Sequence, residues 1–145
     1  MLSGDEILKL VEEKKIKIKP FIKENINPNS YNFTLSDEIF TYENYYLDSK
    51  KQNNLVKQVI PEEGFVLQQN EVYIAYTNEF FKSGQYLFEV DGRSSIGRLG
   101  IYVHLDTGLI ERNFKGRLKL TIKASVPIRI YKNMEIGQIS IYKSI

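Results

Sequence analysis

Short apolar segments separated by turn-forming residues fill most of the chain after residue 64, and they constrain the fold more than any other feature. The pattern predicts strands at about 65–68, 71–77, 86–90, 101–105, 117–123, 127–131 and 136–142. An earlier strand is predicted where Tyr31, Phe33 and Leu35 alternate with polar residues. Many short strands with one helix before them predict a mainly β fold, either a barrel or a double-sheet roll.

The one predicted helix lies at the amino terminus. Ser3 can cap it, and Glu6, three residues later, completes a capping box. Ile7, Leu10 and Val11 then fall on one helical face, which predicts an amphipathic helix packed against the strands.

The 145 residues suit a single domain with a sizeable core, which we predict to span 1–145. Residues 43–58 are polar and lysine-rich, with little periodicity. We expect them to form an exposed excursion or a long hairpin.

The composition excludes several kinds of site. The chain has no cysteine, so it has no disulfide, thiolate metal site or cysteine nucleophile, and its single histidine excludes a multi-histidine zinc site. A net charge of +2 gives no strong reason to expect binding to nucleic acid or to an anionic membrane. No segment resembles a signal peptide or a membrane span, so we expect a cytoplasmic protein.

Residues 90–100, V-D-G-R-S-S-I-G-R-L-G, concentrate two arginines, two serines and three glycines. The guanidinium groups of Arg93 and Arg98 can each donate paired hydrogen bonds to a phosphate. The hydroxyls of Ser94 and Ser95, with backbone N–H groups exposed beside glycine, would add further donors. The stretch predicts a nucleotide-phosphate site, although a short motif of this kind also suits a turn with surface arginines.

A second polar stretch, T-G-L-I-E-R-N-F-K-G at residues 107–116, places Glu111 after an apolar pair and before a turn. This carboxylate could act as a general base that activates water, or it could bind a sugar hydroxyl. It could equally be a solvated acid beside Arg112, the usual situation of a glutamate in a loop.

The ordered set of motifs resembles the superfamily of dCTP deaminases and trimeric dUTP pyrophosphatases over almost the whole chain. The resemblance rests on L-S-G-D-E-I-L at residue 2, N-P-N-S-Y-N-F-T-L-S-D-E at 27, the motifs at 90 and 107, and M-E-I-G-Q-I at 134. The amino-terminal motifs are most similar to the deaminase branch.

The resemblance implies a β-roll of the dUTPase-like β-clip type that forms a homotrimer, with active sites between subunits. The substrate would be a pyrimidine deoxynucleoside triphosphate with Mg²⁺ bound through its phosphates, and no metal site of the protein's own is implied. The implied nucleotide-binding residues are Arg93, Ser94, Ser95, Phe114 and Gln138, and the implied catalytic residues are Glu111, Ser94 and Arg98.

The chain departs from this family at several positions. Thr121 occupies the place of the glutamate that shuttles protons in the deaminases, and a threonine cannot do so near neutral pH. Glu111 replaces the usual aspartate, Phe114 a tyrosine or tryptophan, and Asn32 an aspartate. The chain ends at Ile145, so we expect it to lack the family's carboxy-terminal arm.

Three functions follow as hypotheses. The first is a dUTP pyrophosphatase-type hydrolase that converts dUTP to dUMP and diphosphate. The second is a deaminase-like protein that converts dCTP to dUTP. The third is a catalytically impaired homotrimer with a nucleotide-binding, regulatory or structural role, with residues 43–58 as a partner surface. None of them includes nucleic acid or a membrane as a partner.

Overall fold

The amino-terminal helix begins where the capping box predicts. In a computed structural model that describes residues 1–145, helix α1 spans Gly4–Glu12. The Ser3 hydroxyl accepts a hydrogen bond from the Glu6 N–H at 3.2 Å, and the Ser3 N–H donates to Glu6 Oε1 at 2.9 Å. Ile7 and Leu10 are buried against the strands, so the predicted helix and its apolar face are confirmed.

Strands form most of the remaining structure, and they alternate with turns as the sequence predicts. They are β1 (Lys17–Lys19), β2 (Tyr31–Tyr42), β3 (Leu55–Val59), β4 (Phe65–Leu67), β5 (Val72–Lys82), β6 (Tyr86–Gly92), β7 (Ile101–Tyr102), β8 (Leu109–Ile110), β9 (Lys115–Ala124), β10 (Ile128–Ile130) and β11 (Glu135–Lys143). A 3-10 turn at Lys23–Asn25 and a short helix α2 at Ser94–Gly97 were not predicted. Neither α-helix has the length and apolar character that a bilayer-spanning helix needs.

Nine of the strands form one curled sheet around the long strand β2. The sheet order is β7-β9-β5-β2-β11-β6-β8, with β1 paired to β5 and β3 paired to β2, while β4 and β10 form a separate two-stranded sheet. The first part of β2 pairs with β11, and its last part pairs with β5 and β3. Because β2 changes partners along its length, the sheet curls, and the predicted mainly β roll is confirmed.

Aromatic side chains fill the interior of the roll. Tyr31, Phe33, Phe81 and Phe88 are completely buried, and the last two rings meet edge to face at 6.1 Å. Gly137 lets β11 pass directly beneath Phe33, because a Cβ at this position would lie 2.5 Å from the ring. This close approach sets the position of the next residue along β11, which belongs to the candidate site.

The structure refines the prediction in two segments. Residues 43–58 form a long hairpin, one of the two expected arrangements: Tyr42 pairs with Leu55 and Glu38 with Val59, and residues 43–54 form the loop. The strand predicted at 101–105 covers only Ile101–Tyr102, because His104 makes an isolated parallel bridge to Thr121 instead of continuing the antiparallel ladder with β9.

Glu79 is a completely buried carboxyl group in β5, at the irregularity in its pairing with β9. Its Oε1 accepts a hydrogen bond from the Thr34 N–H at 2.9 Å, and its Oε2 accepts one from the Thr34 hydroxyl at 2.7 Å. Burial raises the pKa of this carboxyl, and the hydrogen bonds from Thr34 only partly oppose the rise. The folded protein therefore binds the Glu79 proton more tightly than the unfolded chain does.

This difference predicts a pH-dependent stability. A raised pKa favours folding below the ordinary value of 4.5, and that contribution is lost as the pH rises through the raised value. Glu79→Gln removes the titrating group. The free energy of unfolding of this variant should therefore increase relative to that of wild type as the pH rises from 4.5 through the raised pKa. Urea denaturation at intervals from about pH 4 to 8 measures the difference. The exposed Glu71→Gln is the control, and profiles of wild type and Glu79→Gln that stay parallel would contradict the prediction.

Candidate functional site

The arginine–serine motif lies at the end of strand β6. The strand ends at Gly92, Arg93 is the extended residue that precedes α2, and the helix begins at Ser94. Ile96 is buried and anchors this single helical turn, while Ser94 and Ser95 remain exposed. The anchor therefore turns the polar side chains of the motif outward, where a ligand can reach them.

These side chains line a cavity of about 330 Å³ that has no hydrophobic residue in its wall. We call it the polar cavity, and its lining residues are Asn27, Asn32, Arg93, Ser94, Ser95, Arg98 and Gln138. Five of the seven were predicted as site residues. Asn27 and Asn32 were not, although both stand in the early motif that carries the resemblance. Two guanidinium groups with no carboxylate in the wall make the polar cavity suited to an anion.

Hydrogen bonds made by side chains join three distant segments beneath the polar cavity. Asn27 Nδ2 donates to Asn32 Oδ1 at 2.7 Å, which joins the early loop to β2. The Ser30 hydroxyl donates to Gln138 Oε1 at 2.6 Å, and Gln138 Nε2 donates to the Gly92 carbonyl at 2.8 Å. Both ends of the Gln138 amide are therefore occupied, so this side chain fixes β11 against the loop and against β6.

Glu135 connects the same network to Arg93. Its Oε1 accepts from Asn32 Nδ2 at 3.1 Å, and its backbone carbonyl accepts from Arg93 Nη1 at 3.0 Å. One nitrogen of the guanidinium is thus held by the backbone, while the other N–H groups remain available. The half-buried Arg93 is oriented before any ligand arrives, which lowers the entropy cost of binding.

Glu111 and Phe114 lie outside the polar cavity. They line a cavity of about 490 Å³, together with Thr107, Leu109, Ile110 and Arg112, and they do not line the polar cavity. The buried Ser83 holds the backbone of the loop that carries them. Its hydroxyl donates to the Glu111 carbonyl and accepts from the Phe114 N–H, both at 2.9 Å. A single chain therefore does not bring the predicted carboxylate and the predicted phosphate ligands into one cavity.

No role for Ser83 was predicted, because a lone serine before a glycine is typical of a turn. A further basic cavity, of about 670 Å³, was also not predicted. It shares Phe114 with the Glu111 cavity and is lined by six lysines, at positions 14, 15, 17, 19, 82 and 115. The protein therefore presents a group of lysines next to the Glu111 loop.

Thr121 lies on the outward face of β9, as the alternation of buried Leu118, Leu120 and Ile122 predicts. Its hydroxyl donates to Asp106 Oδ2 at 3.0 Å. Asp106 was not identified from the sequence, although a carboxylate directly before the Thr-Gly pair at 107–108 was a visible signal. No group of three or more His, Cys, Asp or Glu side chains is arranged to hold a metal ion.

Known proteins have similar sequences, and others have a similar fold. A family model described as dCTP deaminase-like matches residues 1–144. A Clostridium botulinum (strain Alaska E43 / Type E3) protein named "dCTP deaminase, dUMP-forming" is 48% identical over 139 residues, which are 96% of this chain and 80% of that protein. A Leptospira biflexa protein of the same name is 39% identical over 153 residues, covering 99% of this chain and 87% of the relative.

Solved structures agree with these matches at the level of the fold. The 2'-deoxycytidine 5'-triphosphate deaminase of Agrobacterium tumefaciens superposes with a TM-score of 0.76 at 20% identity, and the chain spans about half of that structure, 47%, with 99% of its own length. A Staphylococcus bacteriophage 80alpha dUTPase with dUPNHPP superposes with a TM-score of 0.58 at 14% identity, covering 90% of this chain and 83% of that one. The match of nearly the whole sequence to the family model, on the roll that these structures share, means that the chain belongs to the dCTP deaminase-like family.

Proposed function

We propose that the protein binds a pyrimidine deoxynucleoside triphosphate and hydrolyses it with release of diphosphate, with dUTP as the simplest substrate. The polar cavity is the observation that carries this proposal. Its wall combines Arg93 and Arg98 with the hydroxyls of Ser94 and Ser95, and it contains no apolar residue. Such a donor set suits the oxygens of a polyphosphate and offers nothing to an apolar ligand.

The hydrolytic step needs a base near the phosphates, and we assign that role to Glu111. Its carboxylate would take a proton from the water that attacks a phosphorus atom, and Arg93 would stabilise the charge that develops. Phe114 would pack against the sugar. Because Glu111 and Phe114 line a different cavity from Arg93, a second copy of the chain is needed to complete the site. This need supports a homotrimer with active sites between subunits.

Mg²⁺ would enter as part of the nucleotide, bound through phosphate oxygens. The polar cavity offers guanidinium, hydroxyl and amide groups, which suit phosphate and not a bare cation. Metal-bound phosphates carry less negative charge, which helps the attacking water to approach.

Deamination of dCTP is the second candidate reaction. It is favoured by the relatives, which are named as dCTP deaminases that form dUMP. Conversion of dCTP to dUMP requires both the replacement of the C4 amino group and the loss of two phosphates. On this proposal one site would carry out both hydrolyses. The departure at Thr121 concerns only the replacement of the C4 amino group.

The test is to incubate the purified protein with dUTP, dCTP or dTTP, each with Mg²⁺, and to assay diphosphate and ammonia separately. Diphosphate from dUTP is the expected result, with ammonia from dCTP if the second candidate holds. A nucleotide-dependent rise in melting temperature without either product would mean binding without turnover, as in the third hypothesis from the sequence. Absence of both products would overturn the proposed hydrolysis, and absence of a thermal shift from all three nucleotides would overturn the proposed binding as well. The cytoplasmic location stays a prediction.

A further inference from the structure

Asp106 is held against the strand position where the resemblance places a catalytic glutamate. Thr121 Oγ1 donates to Asp106 Oδ2 at 3.0 Å, so the carboxylate lies on the outward face of β9 at that residue. The backbone makes the same connection, because the Leu105 N–H donates to the Thr121 carbonyl at 3.0 Å as part of a parallel bridge between His104 and Thr121. A side-chain hydrogen bond and a backbone hydrogen bond thus fix the loop that carries Asp106 to a single residue of the strand.

The carboxylate of Asp106 keeps an oxygen available for a reaction. Its Oδ2 accepts from Thr121, its Oδ1 accepts no hydrogen bond within the chain, and the side chain takes part in none of the ion pairs. The basic residues Lys119 and Lys123 share the outward face of β9 with Thr121.

The other carboxylates in this region are occupied or assigned. Asp91 Oδ1 accepts from the Gly92 N–H at 2.8 Å and lies 4.0 Å from His104 Nε2. Glu111 lines its own cavity and is assigned to the phosphate step. Asp106 is therefore the acid that the fold places at Thr121.

We propose that Asp106 is the proton-transferring carboxylate for deamination of a cytosine base, and that Thr121 is its positioning residue. The carboxylate has moved from the strand to the neighbouring loop, and the threonine hydroxyl holds it in place of the missing side chain. This inference rests on the proposed function, and specifically on dCTP as a substrate.

The proton balance of the step is complete without a metal or another co-reactant. Ionised Asp106 takes one proton from water while the water oxygen bonds to C4. Asp106 then delivers that proton to N3. It then takes the proton of the new C4 hydroxyl and delivers it to the C4 amino group. The C4–N bond breaks, ammonia leaves, and C4 becomes a carbonyl beside a protonated N3. The sum is dCTP and water giving dUTP and ammonia, and Asp106 ends ionised as it began.

Asp106→Asn tests this assignment, because asparagine keeps the size of the side chain and still accepts from Thr121 but cannot carry the proton. Ammonia release from dCTP should fall by about 10²–10⁴-fold, the usual effect of losing a general acid–base group. Diphosphate release from dUTP should fall by less than about tenfold, because a different carboxylate serves that step. The exposed Asp37→Asn, which loses a carboxylate away from this loop, is the control.

Thr121 variants test the positioning role. Thr121→Val keeps the shape and removes the donor, so the kcat for ammonia release should fall by about tenfold at an unchanged KM, and Thr121→Ser should restore it.

The outcomes separate this inference from the proposed function. If wild type releases ammonia and Asp106→Asn releases it at the same rate, Asp106 is not the proton carrier, while the proposed function stands. Equal losses of ammonia and diphosphate in Asp106→Asn would indicate a structural role and would also overturn the assignment. If wild type releases diphosphate from dUTP but no ammonia from dCTP, the assignment fails alone. Absence of both products removes the proposed function as well.

Discussion

Arg93→Ala is expected to weaken the binding of dUTP by about 30-fold or more, because removal of one partner from a buried, hydrogen-bonded charge pair usually costs about 2–5 kcal/mol. The reason lies in how the side chain is held. Arg93 Nη1 is fixed by the Glu135 carbonyl at 3.0 Å, so the rest of the guanidinium points into the polar cavity already oriented. Isothermal titration with dUTP and Mg²⁺ measures the loss directly.

The chain contains a matched control for this variant. Arg129 Nη1 donates to the Glu63 carbonyl at the same distance of 3.0 Å, but this arginine is exposed and lies outside the polar cavity. Arg129→Ala therefore removes a comparable bond to the backbone and should leave dUTP binding unchanged. Arg93→Lys keeps the charge without the paired donors and should give an intermediate affinity. If Arg93→Ala binds dUTP as tightly as wild type, the assignment of the phosphate site is wrong.

Glu111→Gln is expected to lower diphosphate release from dUTP by about 10²–10⁴-fold while the affinity for dUTP changes little, since the amide cannot accept a proton from water. The backbone at this position is held by Ser83 through the Glu111 carbonyl, so the substitution leaves the loop in place. Glu111→Asp keeps a carboxylate and should keep the reaction. Steady-state assays of diphosphate separate the three proteins, and a Glu111→Gln enzyme with full activity would remove Glu111 from the mechanism.

Mixing two inactive variants tests whether the site lies between copies. In trimers assembled at random from equal amounts of Arg93→Ala and Glu111→Gln chains, about a quarter of intersubunit sites would combine an intact arginine with an intact glutamate. Activity near a quarter of wild type is therefore expected after co-expression. If each chain formed its own site, every site would carry one defect and the mixture would stay inactive.

Local chemistry was enough to predict much of the molecule from the sequence. The Ser3–Glu6 capping box needs only neighbours in the chain, and the alternation around Leu118, Leu120 and Ile122 follows from the period of a strand. The arginines and serines of the 90–100 stretch reach one cavity together because one strand end and one helical turn present them all. The strand at 109–110 was missed because two residues are too few to show a period.

What only the tertiary structure decided are the contacts between residues far apart in the chain. Ser30 and Gln138 are 108 positions apart, and their hydrogen bond forms because β2 and β11 are neighbours in the sheet. Strand pairing likewise brings Asp106 to Thr121, which local periodicity cannot reveal, because it reports which face a residue occupies and not which side chain lies opposite. The sequence by itself thus determined most of the strands, the amino-terminal helix and the grouping of the arginines and serines, while the sheet order determined which acid lies at Thr121 and left Glu111 outside the polar cavity.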